Sequence, residues 1–160
     1  MNPFVFSTSK SIHFGSGLLA RLGELAQAHI GERVLLVTDP GLVNTGLIAR
    51  ARDVLAEACV TVELFSEVEA DPPEAVILRA VECARAATVT GVIGLGGGSS
   101  LDVAKLVALL AVGKETLADI YGVGNAKGPR LPLLLAPTTA GTGPAVTPIS
   151  IVNLPSNAKV

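Results

Sequence analysis

One stretch of this 160-residue sequence has residue types and spacing suited to holding an anion. Residues 91–95 form an apolar strand pattern, Gly96-Gly97-Gly98-Ser99 interrupts it, and an apolar helix pattern follows over about 100–112. Glycines let backbone approach a ligand closely. The N–H groups at a helix start, with the positive dipole end and the Ser99 hydroxyl, favour a negative group such as a pyrophosphate. The spacing is neither Gly-x-Gly-x-x-Gly nor a P-loop, because no Gly-Lys-Ser/Thr is present. The same residues also suit a tight strand-to-helix turn with Ser99 or Ser100 as N-cap.

Asp39 closes the apolar run 33–38, at the strand end where open α/β sheets bind ligands. Its carboxylate can accept hydrogen bonds from the two hydroxyls of an adenosine ribose and would repel a 2′-phosphate, which favours NAD over NADP. An Asx turn or N-cap ahead of Pro40-Gly41 explains it equally well. Asp102 and Lys105 follow the glycine run at i,i+3 spacing. An exposed pair of this kind is worth only a few tenths of a kcal/mol. Near the glycine loop, the Asp102 carboxylate could instead hold the loop's N–H groups, or simply favour the helix dipole. The loop Pro137-Thr138-Thr139-Ala140-Gly141-Thr142-Gly143 offers three hydroxyls directly after an apolar strand, either as a nucleotide cradle or as a surface turn. Asp71 before Pro72-Pro73 reads first as a helix start. His13 falls mid-strand and His29 at a helix end, and no acid, base or nucleophile constellation can be assembled around them.

These residues need a scaffold of alternating strands and helices. Residues 4–8 and 11–14 read as two short strands, together a hairpin. A helix over 17–29 is followed by strand 33–38, helix 42–58, strand 60–65, a helix starting at 71–73, strand 91–95, the helix at about 100–112 and strand 131–136. Continuous apolar strands alternating with amphipathic helices predict a doubly wound, mainly parallel α/β sheet. Residues 113–130 read as a surface excursion with a short helix at 115–121, and 146–154 as an irregular or hairpin strand.

Composition sets the outer limits. Hydrophobic residues make up 49% of the chain and aromatics 3%, with no Trp, so a core of Val, Leu, Ile and Ala is expected and disorder is excluded. Twelve Lys and Arg against fourteen Asp and Glu give a net charge of -2 without basic runs, which argues against nucleic acid. Cys59 and Cys83 are expected as buried, reduced thiols. No apolar stretch approaches the ~20 residues of a membrane span, and the N-terminus lacks the order of a signal peptide, so a cytoplasmic protein is expected.

Taken together, Ile12-His13-Phe14-Gly15, Leu36-Val37-Thr38-Asp39, Gly96-Gly97-Gly98-Ser99-Ser100-Leu101-Asp102-Val103-Ala104-Lys105 and Pro137-Thr138-Thr139-Ala140-Gly141-Thr142-Gly143 resemble the N-terminal half of the iron-containing (group III) alcohol dehydrogenases. The resemblance covers essentially the whole chain. It implies a Rossmann-like NAD(P)-binding domain over 1–160, with the family's helical C-terminal domain absent. Asp39 would contact the adenosine ribose, Gly97, Gly98 and Ser99 the pyrophosphate, and Thr138, Thr139 and Thr142 further parts of the dinucleotide. Asp71, Asp102 and Lys159 match positions near the cofactor. The implied reaction is reversible hydride transfer between a small alcohol or aldehyde and NAD, assisted by Fe2+ or Zn2+. The metal's Asp and three His belong to the helical domain, and neither His13 nor His29 matches them. The resemblance therefore implies cofactor binding without turnover by these residues alone, and a homo-oligomer. Glycerol dehydrogenase, lactaldehyde reductase and maleylacetate reductase share the scaffold, and a non-catalytic scaffold domain is the reading from another class. Two departures stand out: Asp71 occupies a position where the family often has Asn, and Pro144-Ala145 one where Ser-Glu usually follows.

Overall fold

A computed structural model describes residues 8–153. The chain runs α1 (Leu22–His29), β1 (Arg33–Val37), α2 (Pro40–Val43), α3 (Leu47–Glu57), β2 (Thr61–Phe65), α4 (Glu74–Ala86), β3 (Gly91–Gly96), α5 (Gly98–Leu110) and β4 (Leu133–Pro137). All strand pairs are parallel, in the order β2-β1-β3-β4. β1 therefore neighbours both later strands, and the chain reverses its direction of travel across the sheet between β1 and β3.

Successive side chains point to opposite sides, and the central strands β1 and β3 are buried on both faces. Val34 and Leu36 of β1, with Ile93 and Leu95 of β3, pack against Leu22 and Ala26 of α1 and Ile48, Ala51 and Leu55 of α3. Leu35, Val37 and Val92 face the other way, against Ile77, Ala80 and Val81 of α4 and Val103, Ala104 and Val107 of α5. Helices thus cover both faces of a Rossmann-like, doubly wound sheet. α5 is apolar on most sides, and nine of its thirteen residues are buried. Gly94 permits its close approach to β3: a β-carbon there would stand 2.8 Å from Ala104 Cβ.

Several local expectations change. Phe4, Val5, Phe6 and Ser7 of the first expected strand lie outside the described residues. Residues 11–14 form no strand, and Ile12 and Phe14 are exposed, so no ladder or apolar face holds them extended. His13 is accordingly not in a strand; its ring centroid lies 6.3 Å from that of His29. The expected helix 42–58 is two helices, because Thr45 Oγ1 donates to the Leu42 carbonyl at 2.7 Å and Gly46 turns left-handed at φ 79. α1 is preceded by a 3-10 turn, Leu18–Arg21. Pro73, not Asp71, caps α4, and Asp71 itself sits at φ 49. The helix expected at 115–121 shrinks to a 3-10 turn, Ala118–Ile120, where Asp119 accepts from the Thr116 N–H at 2.8 Å and from its hydroxyl at 2.7 Å.

Over 146–153 the chain makes only an isolated parallel bridge, Asn153 to Pro73, rather than a strand. Both cysteines are free thiols, but Cys59 is exposed in the turn after α3 at φ 56, not buried at a strand start. Among the described residues no helix is long and apolar enough to cross a membrane.

Candidate functional site

The reversal between β1 and β3 opens a crevice at the carboxyl ends of these two strands, the place where open α/β sheets bind ligands. A cleft of about 440 Å³ lies there, lined by Asp39, Pro40 and Gly41 after β1, Val68, Glu69 and Ala70 after β2, and Gly97, Gly98, Ser99 and Ser100 after β3.

α5 begins two residues earlier than its apolar pattern suggests. Its N-cap is Gly97, and no side chain caps it. The alternative of a cap by Ser99 or Ser100 is not realised, so the first-turn N–H groups have no side-chain oxygen and point with the helix dipole into the cleft. Gly97 has ordinary backbone angles, φ -75 and ψ -178. A β-carbon on it would meet nothing closer than Thr139 Cγ2, at 3.7 Å. Glycine at 97 is thus not demanded by the fold; it leaves open the volume above the helix start.

Asp39 performs the capping role and leaves half its carboxylate for another. Oδ1 accepts from the Leu42 N–H at 3.0 Å, which caps α2. Oδ2 lies against the β3 end, 3.4 Å from where a Gly96 β-carbon would be. One residue earlier, the Thr38 hydroxyl is buried without a hydrogen-bond partner among the described residues.

The threonine loop leaves β4 with the Thr138 N–H donating to the Gly96 carbonyl at 2.9 Å, so it starts beside the glycine turn. Thr139 Oγ1 and Thr142 Oγ1 stand 3.5 Å apart. Thr139 is the nearest side chain to Gly97, and Thr142 flanks Gly98 together with Pro144, whose Cγ would lie 3.3 Å from a Gly98 β-carbon. Hydroxyls therefore face the helix start from the opposite side. Pro144, where the resembled family has Ser, forms a wall of that cradle.

Asp102 is one turn deeper in α5 and does not reach the glycine loop. Its Oδ1 pairs with Lys105 Nζ at 2.8 Å, with 11% of the lysine side chain and 9% of the aspartate exposed. Its Oδ2 accepts from the Ile151 N–H at 3.3 Å. The pair is nearly buried rather than exposed, and it holds the chain beyond the threonine loop. Asp71 is exposed one residue beyond Ala70 of the cleft wall, and Lys159 lies outside the described residues. Glu69 is a cleft-lining residue that residue-type reasoning passed over. The rule that ligands sit beyond strand ends could have found Glu69, which follows β2 by four positions.

The cleft suits a nucleotide phosphate and a ribose diol: uncapped helix N–H groups, glycines without side chains, facing hydroxyls and one spare carboxylate oxygen. A metal is different. Among the described residues no group of three or more His, Cys, Asp or Glu could hold one.

The sequence model of the family described as iron-containing alcohol dehydrogenase matches residues 9–160. The chain belongs to the iron-containing alcohol dehydrogenase family. It is 34% identical over 139 residues to alcohol dehydrogenase 4 of Schizosaccharomyces pombe, covering 87% of this chain and 33% of that protein. It is 37% identical over 151 residues to long-chain-alcohol dehydrogenase 1 of Geobacillus thermodenitrificans, covering 92% of this chain and 38% of the relative. The chain thus spans between a third and two-fifths of the length of these curated relatives. A crystal structure of an iron-containing alcohol dehydrogenase superposes with TM-score 0.89 at 35% identity, over 99% of this chain and 44% of that one. Sulfoacetaldehyde reductase from Bifidobacterium kashiwanohense, solved in complex with NAD+, superposes with TM-score 0.85 at 26% identity, over 100% and 43%.

Proposed function

We propose that this chain is the dinucleotide-binding part of an NAD-dependent, metal-assisted alcohol dehydrogenase, with the cofactor seated in the cleft between β1 and β3. The observation that carries the reading is the helix start at Gly97-Gly98-Ser99, with no side-chain cap and faced by the Thr139 and Thr142 hydroxyls. The relative solved with NAD+ supports it.

Bound NAD supplies the hydride acceptor, and NADH the donor. The chain's residues hold it. The N–H groups of the α5 first turn meet the pyrophosphate, Thr139 and Thr142 donate from the other side, and Thr138 and Gly96 keep that loop beside the turn. Asp39 Oδ2 accepts from the ribose hydroxyls, while Oδ1 stays on the Leu42 N–H. Asp39 and Glu69 both border the cleft, so a 2′-phosphate meets two carboxylates and NAD is preferred to NADP. The substrate is a small alcohol or aldehyde, and the metal and its ligands come from outside these residues. The protein is cytoplasmic, and it is homo-oligomeric, the latter supported by the exposed Val146, Ile149 and Ile151 on the segment after the threonine loop.

Calorimetric titration with NAD+ and NADH tests the reading, with NADH emission as a second signal. Binding heat with both forms and a change in NADH emission are expected. No heat and no emission change at millimolar cofactor would overturn it.

A further inference from the structure

The segment from Thr139 to Val152 follows β4 without any regular hydrogen-bonded structure. No ladder sets its position, yet it carries the hydroxyls that face the start of α5. Upstream, the loop is fixed where the Thr138 N–H donates to the Gly96 carbonyl. Downstream, the fixing point is Lys105. Its ammonium donates to the Ile149 carbonyl and to the Thr147 carbonyl at 3.3 Å, and forms an ion pair with Asp102 Oδ1 at 2.8 Å. Two of its three protons thus go to backbone carbonyls of the segment, and its charge is paired with Asp102. Asp102 completes the joint: Oδ2 takes the Ile151 N–H at 3.3 Å, and its backbone carbonyl takes the Ser150 hydroxyl at 3.4 Å. Within the span between the two anchors, the Val146 N–H donates to the Gly143 carbonyl at 3.0 Å.

We propose that Lys105, with Asp102, is a positioning residue that sets the Thr139–Thr142 hydroxyls over the α5 N-terminus by clamping the backbone at Thr147–Ile151, and does so without touching the cofactor. This deepens the dinucleotide reading and rests on it. Both side chains are about nine-tenths buried and reach toward the loop side, so they spend charge desolvation on a segment whose only buried apolar side chain is Val152 at its far end. Asp102 accordingly acts through the loop rather than on the dinucleotide.

The test compares the wild-type chain with the double variant Lys105→Met, Asp102→Asn. Removing both charges leaves no lone buried ion, so the fold is retained, and a melting curve checks this. Two ligands are titrated: NADH, which needs the phosphate cradle, and adenosine, which carries the ribose diol and no phosphate. Hydrogen exchange is followed at the Val146 and Ile151 amides, with those of β1 and β3 as reference. The proposal expects NADH binding to weaken at least about tenfold, adenosine binding to stay within about twofold, and Val146 to exchange faster while β1 and β3 do not.

Equal weakening of both ligands would mean a general structural loss and overturn it, as would unchanged NADH binding. If the wild-type chain binds no NADH, the dinucleotide reading fails by itself. The clamp is then decided by exchange alone: faster exchange at Val146 and Ile151 upholds it, and unchanged exchange overturns it.

Discussion

The carboxylate of Asp39 and the backbone of Gly96 lie close enough that a β-carbon at 96 would stand 3.4 Å from Asp39 Oδ2, and 2.6 Å from Ser100 Oγ. The ends of β1 and β3 and the start of α5 meet at this point, with room only for a hydrogen on residue 96. Gly96→Ala must push Ser100, which is short, buried and unable to swing away. The expected loss is about 1–3 kcal/mol, as for other overpacked sites. Urea unfolding measures it, and a change below about 0.5 kcal/mol would contradict this packing.

Gly97→Ala should behave in the opposite way. Its backbone is ordinary and a methyl there meets nothing within 3.4 Å, so the stability cost is that of alanine at an N-cap, at most about 1 kcal/mol. The methyl would fill space reserved for the cofactor phosphates. NADH affinity should fall at least about tenfold, or ~1.4 kcal/mol. Titration beside a melting curve separates the two effects; a large stability loss with unchanged binding would reverse the assignment.

Asp39→Asn tests the two halves of one carboxylate. Asparagine keeps an oxygen for the Leu42 N–H, so α2 stays capped and stability is nearly preserved. The charge facing a 2′-phosphate disappears. The preference for NADH over NADPH should shrink by about tenfold, read from paired titrations. Asp39→Ala, which also removes the cap, should cost about 0.5–2 kcal/mol as well.

The two thiols should separate by alkylation. Cys59 is exposed in its turn. Cys83 is raised above the ordinary thiol range, first by burial and then by the negative charge of Glu63, whose Oε1 lies 3.7 Å from its sulfur. A raised value keeps the thiol protonated and unreactive to higher pH. Iodoacetamide at mildly alkaline pH should modify Cys59 first, and the Cys83 rate should rise only at a pH higher than an ordinary thiol needs. Mass spectrometry of timed samples reads the order.

Much of the scaffold was legible because burial on both faces leaves a plain mark: 33–38 and 91–95 are continuous apolar runs, and the parallel pairing followed from the helices between them. Residues around short polar turns were harder. Thr45 and Gly46 split a helix whose apolar spacing continues across the break, and α5 starts at Gly98 with Gly97 as N-cap, ahead of the serines that residue type favours. At the site, Asp39, Gly97, Gly98 and Ser99 fall on one cleft as their positions at strand ends suggested. Asp102 is different. Its i,i+3 spacing to Lys105 was visible, but its burial depends on residues 147–151, more than forty positions away, which no local pattern announces.

The central claim is that the dinucleotide lies on the α5 N-terminus between Asp39 and the threonine loop. Amide chemical-shift mapping of the labelled chain against NAD+ tests it most directly. The account predicts that the amides of Gly97, Gly98 and Ser99, with those of Asp39, Thr139 and Thr142, shift saturably while those of α3 stay in place. Unmoved glycine-turn amides at millimolar NAD+, or shifts confined to the groove of Arg52, Asp53 and Thr61 between α3 and β2, would contradict it.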